Sequence, residues 1–231
     1  MQTPLPRRAL AELVGTFFLV FAGCGSMAIN AETGGVVGHI GIGLTWGLIV
    51  MTMIYAIGES SGAHINPVVT VAFAVAKRFP KTEVPIYIIA QLVGGLGGAL
   101  VLRLLFPGVD DLGQTFPRGS HVQSAVLELL LTFILMYVIL GVCSGAKEKG
   151  LLAGVAIGGV VGMEAIFAGP ICRASMNPAR SIAPALVSLD AAALASLWLY
   201  IAAPVAGALL AVIVFRMTHA PQSSGRDPGA E

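Results

Sequence analysis

Six stretches of this chain are apolar for about the length of a bilayer crossing: residues 9–30, 39–58, 84–106, 122–143, 151–168 and 193–216. A helix needs roughly 20 such residues to cross hydrocarbon about 30 Å thick. The chain is therefore expected to be an all-α membrane protein. Of its 231 residues, 56% are hydrophobic and only 11% charged, with a mean hydropathy of +0.88. Soluble domains carry about a quarter charged residues, so too little polar side chain is present to cover a globule in water. The first run, from Ala9 to about Ala28, follows Arg7 and Arg8 as a signal-peptide core would. It is longer than a cleavable core and is expected to stay as the first spanning helix.

Two further apolar pieces, 67–76 and 178–187, are too short to cross. At 1.5 Å per residue each covers roughly 15 Å, half of the hydrocarbon core. They are either surface loops or half-helices that enter from opposite sides and meet. An internal repeat favours the second. Ala11-Glu12-Leu13-Val14-Gly15-Thr16-Phe17-Phe18 matches Leu127-Glu128-Leu129-Leu130-Leu131-Thr132-Phe133-Ile134, 116 residues on. Ser61-Gly62-Ala63-His64-Ile65-Asn66-Pro67-Val68 matches Cys172-Arg173-Ala174-Ser175-Met176-Asn177-Pro178-Ala179, 111 residues on. Each half, about 8–106 and 122–216, then holds three spanning helices and one re-entrant half-helix. With three spans per half, the second half is inserted upside down, and such inverted repeats place their site at broken helices near the midplane. One channel-like domain over 1–231 is expected.

Lys and Arg set the orientation. Arg7, Arg8, Lys77, Arg78, Lys81, Lys147, Lys149, Arg216 and Arg226 fall on one side, and Arg103, Arg118, Arg173 and Arg180 on the other. The richer side is cytoplasmic, which puts both termini inside and makes 217–231 a polar cytoplasmic tail, expected to be disordered beyond His219. A net charge of +1 gives no basic patch for nucleic acid. Cys24, Cys143 and Cys172 are odd in number and lack metal-ligand spacing, so neither disulfides nor a metal site is implied. They read as small apolar residues in or near helices.

Asn-Pro at the head of a short helix has a definite chemistry. Asn is a favoured N-cap whose side-chain oxygen accepts a backbone N–H, and Pro suits the first helical position. The amide NH2 is then left to donate into the space ahead. One Asn-Pro is weak support, but Asn66-Pro67 and Asn177-Pro178 head both short segments at matching places. Side by side, both would donate to a passing water, whose hydrogens then point outward. That water cannot relay a proton, and the positive helix ends repel cations. Anions are rejected by the cost of dehydration in a narrow apolar tube. Carbonyls of Gly62–Ile65 and Arg173–Met176, expected to be extended, supply acceptors along one wall.

These motifs resemble the aquaporin (major intrinsic protein) family, and the resemblance covers nearly the whole chain. It rests on Ser61-Gly62-Ala63-His64-Ile65-Asn66-Pro67-Val68-Val69-Thr70, on Ser175-Met176-Asn177-Pro178-Ala179-Arg180-Ser181, and on Glu12 and Glu128. One departure is Val68, where the family motif has Ala; it bears on how the two half-helix ends pack. The resemblance implies an outer constriction of Trp46, Ala165, Ala174 and Arg180. Water-selective members have His where Ala165 stands. Two alanines facing Trp46 imply a wider, more apolar slot, with Arg180 as a donor fork. Ala168-Gly169-Pro170, Ala174-Ser175-Met176 and Tyr200-Ile201 resemble the nodulin-like branch, whose members pass water, glycerol, urea and undissociated metalloid acids such as arsenous, boric or silicic acid. Ser181 stands where glycerol facilitators have Asp. The resemblance also implies a plasma-membrane homotetramer with one pore per subunit and no cofactor.

Several residues carry two readings. Glu12 and Glu128 are proton relays or, as their symmetry favours, braces accepting pore-loop N–H groups. Glu164 has no partner in the first half; it pairs with Arg173 or faces a neighbouring subunit. His64 is a pH sensor or, as favoured here, a hydrogen-bonded strut. Cys172 lies near the outer mouth, where a mercurial reaches it only if it faces the lumen. Without the resemblance, Trp46 would be a packing or interfacial residue. The rival classes are a strictly water-selective channel, a coupled secondary transporter and an intramembrane enzyme. A transporter needs a coupling-ion site, yet no Asp or carboxylate cluster flanks the Asn-Pro motifs. An enzyme needs a catalytic pair at one depth, and none is evident.

Overall fold

The computed structural model describes residues 3–143 and 152–219. In chain order these form α1 (Leu5–Glu32), α2 (Gly38–Ser61), α3 (Pro67–Val75), α4 (Val84–Leu105), α5 (His121–Val142), α6 (Ala153–Cys172), α7 (Pro178–Ser188) and α8 (Ala191–Thr218), with a single 3-10 turn at Lys81–Glu83. No strand occurs among the described residues. Among the described residues, six helices are long and apolar enough to cross a membrane, whereas α3 and α7, at 9 and 11 residues, are not.

The helix limits lie close to those expected, and the differences have causes. α1 starts at Leu5, before Arg8, whose Nη2 lies 2.7 Å from Glu83 across the helix ends. α6 runs past Gly169-Pro170 to Cys172. Pro170 lacks the N–H that would bond the Ile166 carbonyl, and the His39 ring Nε2 takes that carbonyl instead. α8 continues through Thr218. The expected disorder of the tail beyond His219, and the charges Lys147, Lys149 and Arg226, lie outside the described residues.

Packing repeats between the halves. α1 packs most extensively on α4, α5 on α8, and α2 on α6. Glycine makes the first two crossings close. A Cβ on Gly94 would lie 2.1 Å from the Leu13 carbonyl oxygen, and one on Gly207 would lie 2.1 Å from that of Leu129. Small residues at such crossings let helix backbones approach without a hydrophobic drive between them. The outward faces carry exposed Leu10, Leu44, Ile89, Leu104, Val122 and Ile213, which suits a lipid surround.

Candidate functional site

α3 and α7 begin at the residues that head them in sequence. Asn66 caps α3, its Oδ1 accepting the Val68 N–H at 2.9 Å. Asn177 caps α7, accepting Ala179 N–H at 3.0 Å and Arg180 N–H at 3.3 Å. The two caps are then tied to each other's loops. Asn66 Nδ2 donates to the Met176 carbonyl and Asn177 Nδ2 to the Ile65 carbonyl, both at 2.8 Å. Each amide has two hydrogens, so one is committed across the two-fold and one remains. The expectation that both were free is corrected by these cross-loop bonds.

The loops ahead of the caps are not extended. Gly62, Ala63 and Ile65 have φ of 90°, 47° and 43°, and Arg173, Ala174 and Met176 have 64°, 42° and 54°. An extended strand would turn successive carbonyls to opposite sides. Left-handed residues let the N–H groups turn inward to a buried acceptor. For a non-glycine residue this conformation costs about 1–2 kcal/mol, and it persists because the surroundings hold it. Glu12 holds the first loop: Oε1 accepts His64 N–H at 2.9 Å and Ser61 Oγ–H at 2.7 Å, and Oε2 accepts Ile65 N–H at 2.6 Å and Gln91 Nε2–H at 2.8 Å. Glu128 holds the second loop through Ser175 N–H at 2.7 Å and Met176 N–H at 2.8 Å. Both carboxyls are engaged as braces.

An inner cavity runs along these loops between Leu19, Val50, Leu135 and Ile157 and reaches Cys143 at one end. It holds about 100 Å³ for water-sized molecules, roughly three waters at liquid density. A wider outer cavity of about 410 Å³ is lined by Asn30, His39, Asp111 and Arg118 among others. Trp46 lines both, Ala174 and Arg180 line the inner one, and Ala165 the outer one. The four residues named from sequence therefore line two cavities that share Trp46. The Arg180 guanidinium lies 4.6 Å over the Trp46 ring. Its Nη1 donates to the Gly113 carbonyl, and Nη2 lies 3.8 Å from Met27 Sδ. At 1% exposure Arg180 is part of the wall, not one of the flanking charges with which it was counted.

A model of the major intrinsic protein family matches residues 2–215 of the chain. The chain belongs to the major intrinsic protein family. "Aquaporin NIP1-1" of Zea mays is 44% identical over 225 residues, 96% of this chain and 79% of that protein. "Nodulin-26" of Glycine max is 41% identical over 220 residues, covering 95% and 80%. An X-ray structure of the aquaglyceroporin from Plasmodium falciparum superposes with a TM-score of 0.82 at 27% identity, covering 92% of this chain and 96% of that one. This is a multi-pass membrane protein of a family of channels for water and small solutes, not of enzymes.

Within this aquaporin fold, the places of Val68, Cys172, Arg173 and Glu164 become definite. Val68 is 2% exposed and lines no part of the lumen; it faces a separate apolar cavity with Pro67, Pro178, Ile201 and Val205. Cys172 is buried off the lumen, whereas the exposed Cys143 stands on it. Arg173 pairs with Asp111 at 3.0 Å, not with Glu164. Glu164 is fully buried within one chain, so it does not face a neighbour either. His64 is a strut by geometry: Nδ1 lies 3.1 Å from Thr70 Oγ1, and the ring packs on Phe73, Phe79 and Tyr87. Sequence reasoning missed Gln91, Tyr87, Gly113 and Asp111. Tyr87 had a signal in the repeat, since its hydroxyl donates to the Ser61 carbonyl as that of Tyr200 donates to the Cys172 carbonyl, both at 2.9 Å. Gly113 shows none, because the segment between α4 and α5 has no repeat partner or period.

Proposed function

We propose that the channel passes water together with small uncharged solutes that carry hydroxyl or amide groups: glycerol, urea and undissociated metalloid acids such as arsenous acid. The observation that carries this reading is Arg180 over the Trp46 ring at 4.6 Å, with Ala174 lining the inner cavity that both share and Ala165 the outer cavity that Trp46 also lines. Two methyl-sized side chains leave room where a larger residue would narrow the path. Arg180 offers donors to one edge of a solute, and Trp46 an apolar face to the other. The names of the maize, soybean and malarial relatives are consistent with a nodulin-like or glycerol-conducting type.

The pore centre is the pair of caps Asn66 and Asn177, set in place by the Asn66-Pro67-Val68 and Asn177-Pro178-Ala179 turns behind them. The remaining amide hydrogen of each Asn donates to one water oxygen, so that water cannot pass a proton along the file. The N-termini of α3 and α7 add positive potential that repels cations, and Arg180 reinforces it. Dehydration in a lumen of about 100 Å³ excludes anions. Glu12, Glu128 and His64 hold the loops in this arrangement. The inverted halves, about 8–106 and 122–216, form one channel unit with both termini cytoplasmic, in a plasma membrane and as a homotetramer with a pore in each subunit.

The test is shrinkage and re-swelling of proteoliposomes in hypertonic glycerol, urea and arsenous acid, with sorbitol as the impermeant control. Re-swelling in all three but not in sorbitol supports the reading. Shrinkage without re-swelling in any of them makes the channel strictly water-selective. Flux that needs an ion gradient makes it a transporter.

A further inference from the structure

Three carboxyls are buried within the spanning helices: Glu12, Glu128 and Glu164. The first two brace the pore loops. Glu164, on α6, is 0% exposed, and neither of its oxygens has a hydrogen-bond partner among the described residues. A buried carboxylate without partners is among the costliest groups a membrane protein can hold.

The repeat supplies an internal control. Glu12 receives two side-chain donors, Ser61 and Gln91, besides its two backbone N–H groups. Cys172 and Pro204 stand at the corresponding places in the second half, so the amide donor has no counterpart around Glu128. The position matching Glu164 in the first half is Met53, which carries no charge. The brace with fewer donors is thus the one that has a second carboxyl in its field, since Glu128 is the charge that acts on Glu164. No cation pairs with Glu164 among the described residues. Around the pair, the Cys172 thiol of α6 and Arg180 of α7 act on Glu128, and the Tyr200 hydroxyl of α8 is turned to the Cys172 carbonyl. On the α2 side His39 engages the Ile166 carbonyl. Two carboxyls that are both buried and feel each other's charge disfavour joint ionisation, since each charge raises the cost of the other. Both Glu128 oxygens accept backbone N–H groups, the pattern of the ionised form.

We propose that Glu164 is held as a neutral carboxylic acid, and that its bound proton is what lets Glu128 remain the anion that fixes the second pore loop. Loss of that proton at alkaline pH adds a second buried negative charge to the field at Glu128 and loosens its hold on Ser175 and Met176. Met176 also carries the carbonyl that Asn66 engages, so the disturbance reaches the pore centre. Glu164 is in this sense a positioning residue, and its effect on flux rests on the channel reading given above.

Infrared difference spectroscopy of the full-length protein in vesicles tests the proton directly. The wild type is expected to show the carbonyl stretch of a protonated carboxyl at neutral pH, and Glu164→Gln is expected to lack it. A wild type without the band, or a Glu164→Gln variant that keeps it, overturns the proposal. Glu164→Leu gives the same comparison if the glutamine variant folds poorly. Vesicle swelling from about pH 6 to about pH 10, the range in which fully buried carboxyls release protons, tests the consequence. Wild-type flux should fall reversibly at the alkaline end while Glu164→Gln stays flat; a parallel fall in both severs Glu164 from the loop. Absence of flux at every pH would sink the channel reading and leave the infrared result to judge the proton.

Discussion

Replacing Glu128 by Gln removes one acceptor from a carboxylate whose two oxygens hold Ser175 N–H at 2.7 Å and Met176 N–H at 2.8 Å. Glutamine has one oxygen, so its NH2 edge must face a backbone donor. Leaving that buried N–H unpaired costs about 1–3 kcal/mol, and the surviving bond, no longer to a charge, weakens by about 1 kcal/mol. The sum, about 2–4 kcal/mol, is a large share of a native stability of about 5–15 kcal/mol. Glu12→Gln should cost no less. Gln91 Nε2 donates both to Glu12 and, at 3.0 Å, to Thr70 Oγ1, so an amide flip that lets Gln91 accept from the new NH2 breaks the Thr70 bond, turns the Gln91 NH2 to a place where its buried Oε1 has no partner, and still leaves Ile65 N–H unpaired. The assay is thermal unfolding in detergent for both variants, paired with osmotic swelling of proteoliposomes. Both variants are expected to lose stability and flux. A Glu128→Gln or Glu12→Gln protein as stable and as permeable as wild type refutes the bracing argument.

Other perturbations separate the lumen from its surroundings. Ala165→His should suppress glycerol and arsenous acid flux more than water flux, read by stopped-flow light scattering; equal loss of all three removes Ala165 from the size filter. Arg180→Val should raise proton or cation leak, measured with a pH-sensitive dye inside vesicles. Mercurials should block through Cys143, on the inner cavity, and not through buried Cys172, so Cys143→Ser abolishes block while Cys172→Ser keeps it. Val68→Ala removes two buried methyl groups off the lumen and should cost about 1–2 kcal/mol with solute preference unchanged in the same swelling assay.

Much of this architecture was legible in the sequence because its determinants are local. Bilayer thickness sets span length, so six long apolar runs read directly as six helices. Asn-Pro is a local capping signal, and the repeat turned two weak signals into a pair. What escaped the sequence depends on contacts between distant segments. The left-handed loops exist because Glu12 and Glu128, from other helices, collect their N–H groups; propensity alone would not place Ala63, Ile65, Ala174 or Met176 at positive φ. Pro170 suggested a helix end, but His39 satisfies the carbonyl it leaves free. The Arg173–Asp111 pair and the Gly113 carbonyl that holds Arg180 come from a connection with no period. Gln91 was overlooked because its second-half counterpart, Pro204, has no matching chemistry.

The central claim is that one path conducts neutral molecules and refuses protons. Simultaneous stopped-flow recording of volume and internal pH, in vesicles holding the purified protein under an osmotic and a pH gradient, tests it most directly. Fast volume change with no pH change beyond that of protein-free vesicles is the predicted result. Proton entry that scales with the amount of protein, or volume change no faster than through bare lipid, would contradict it.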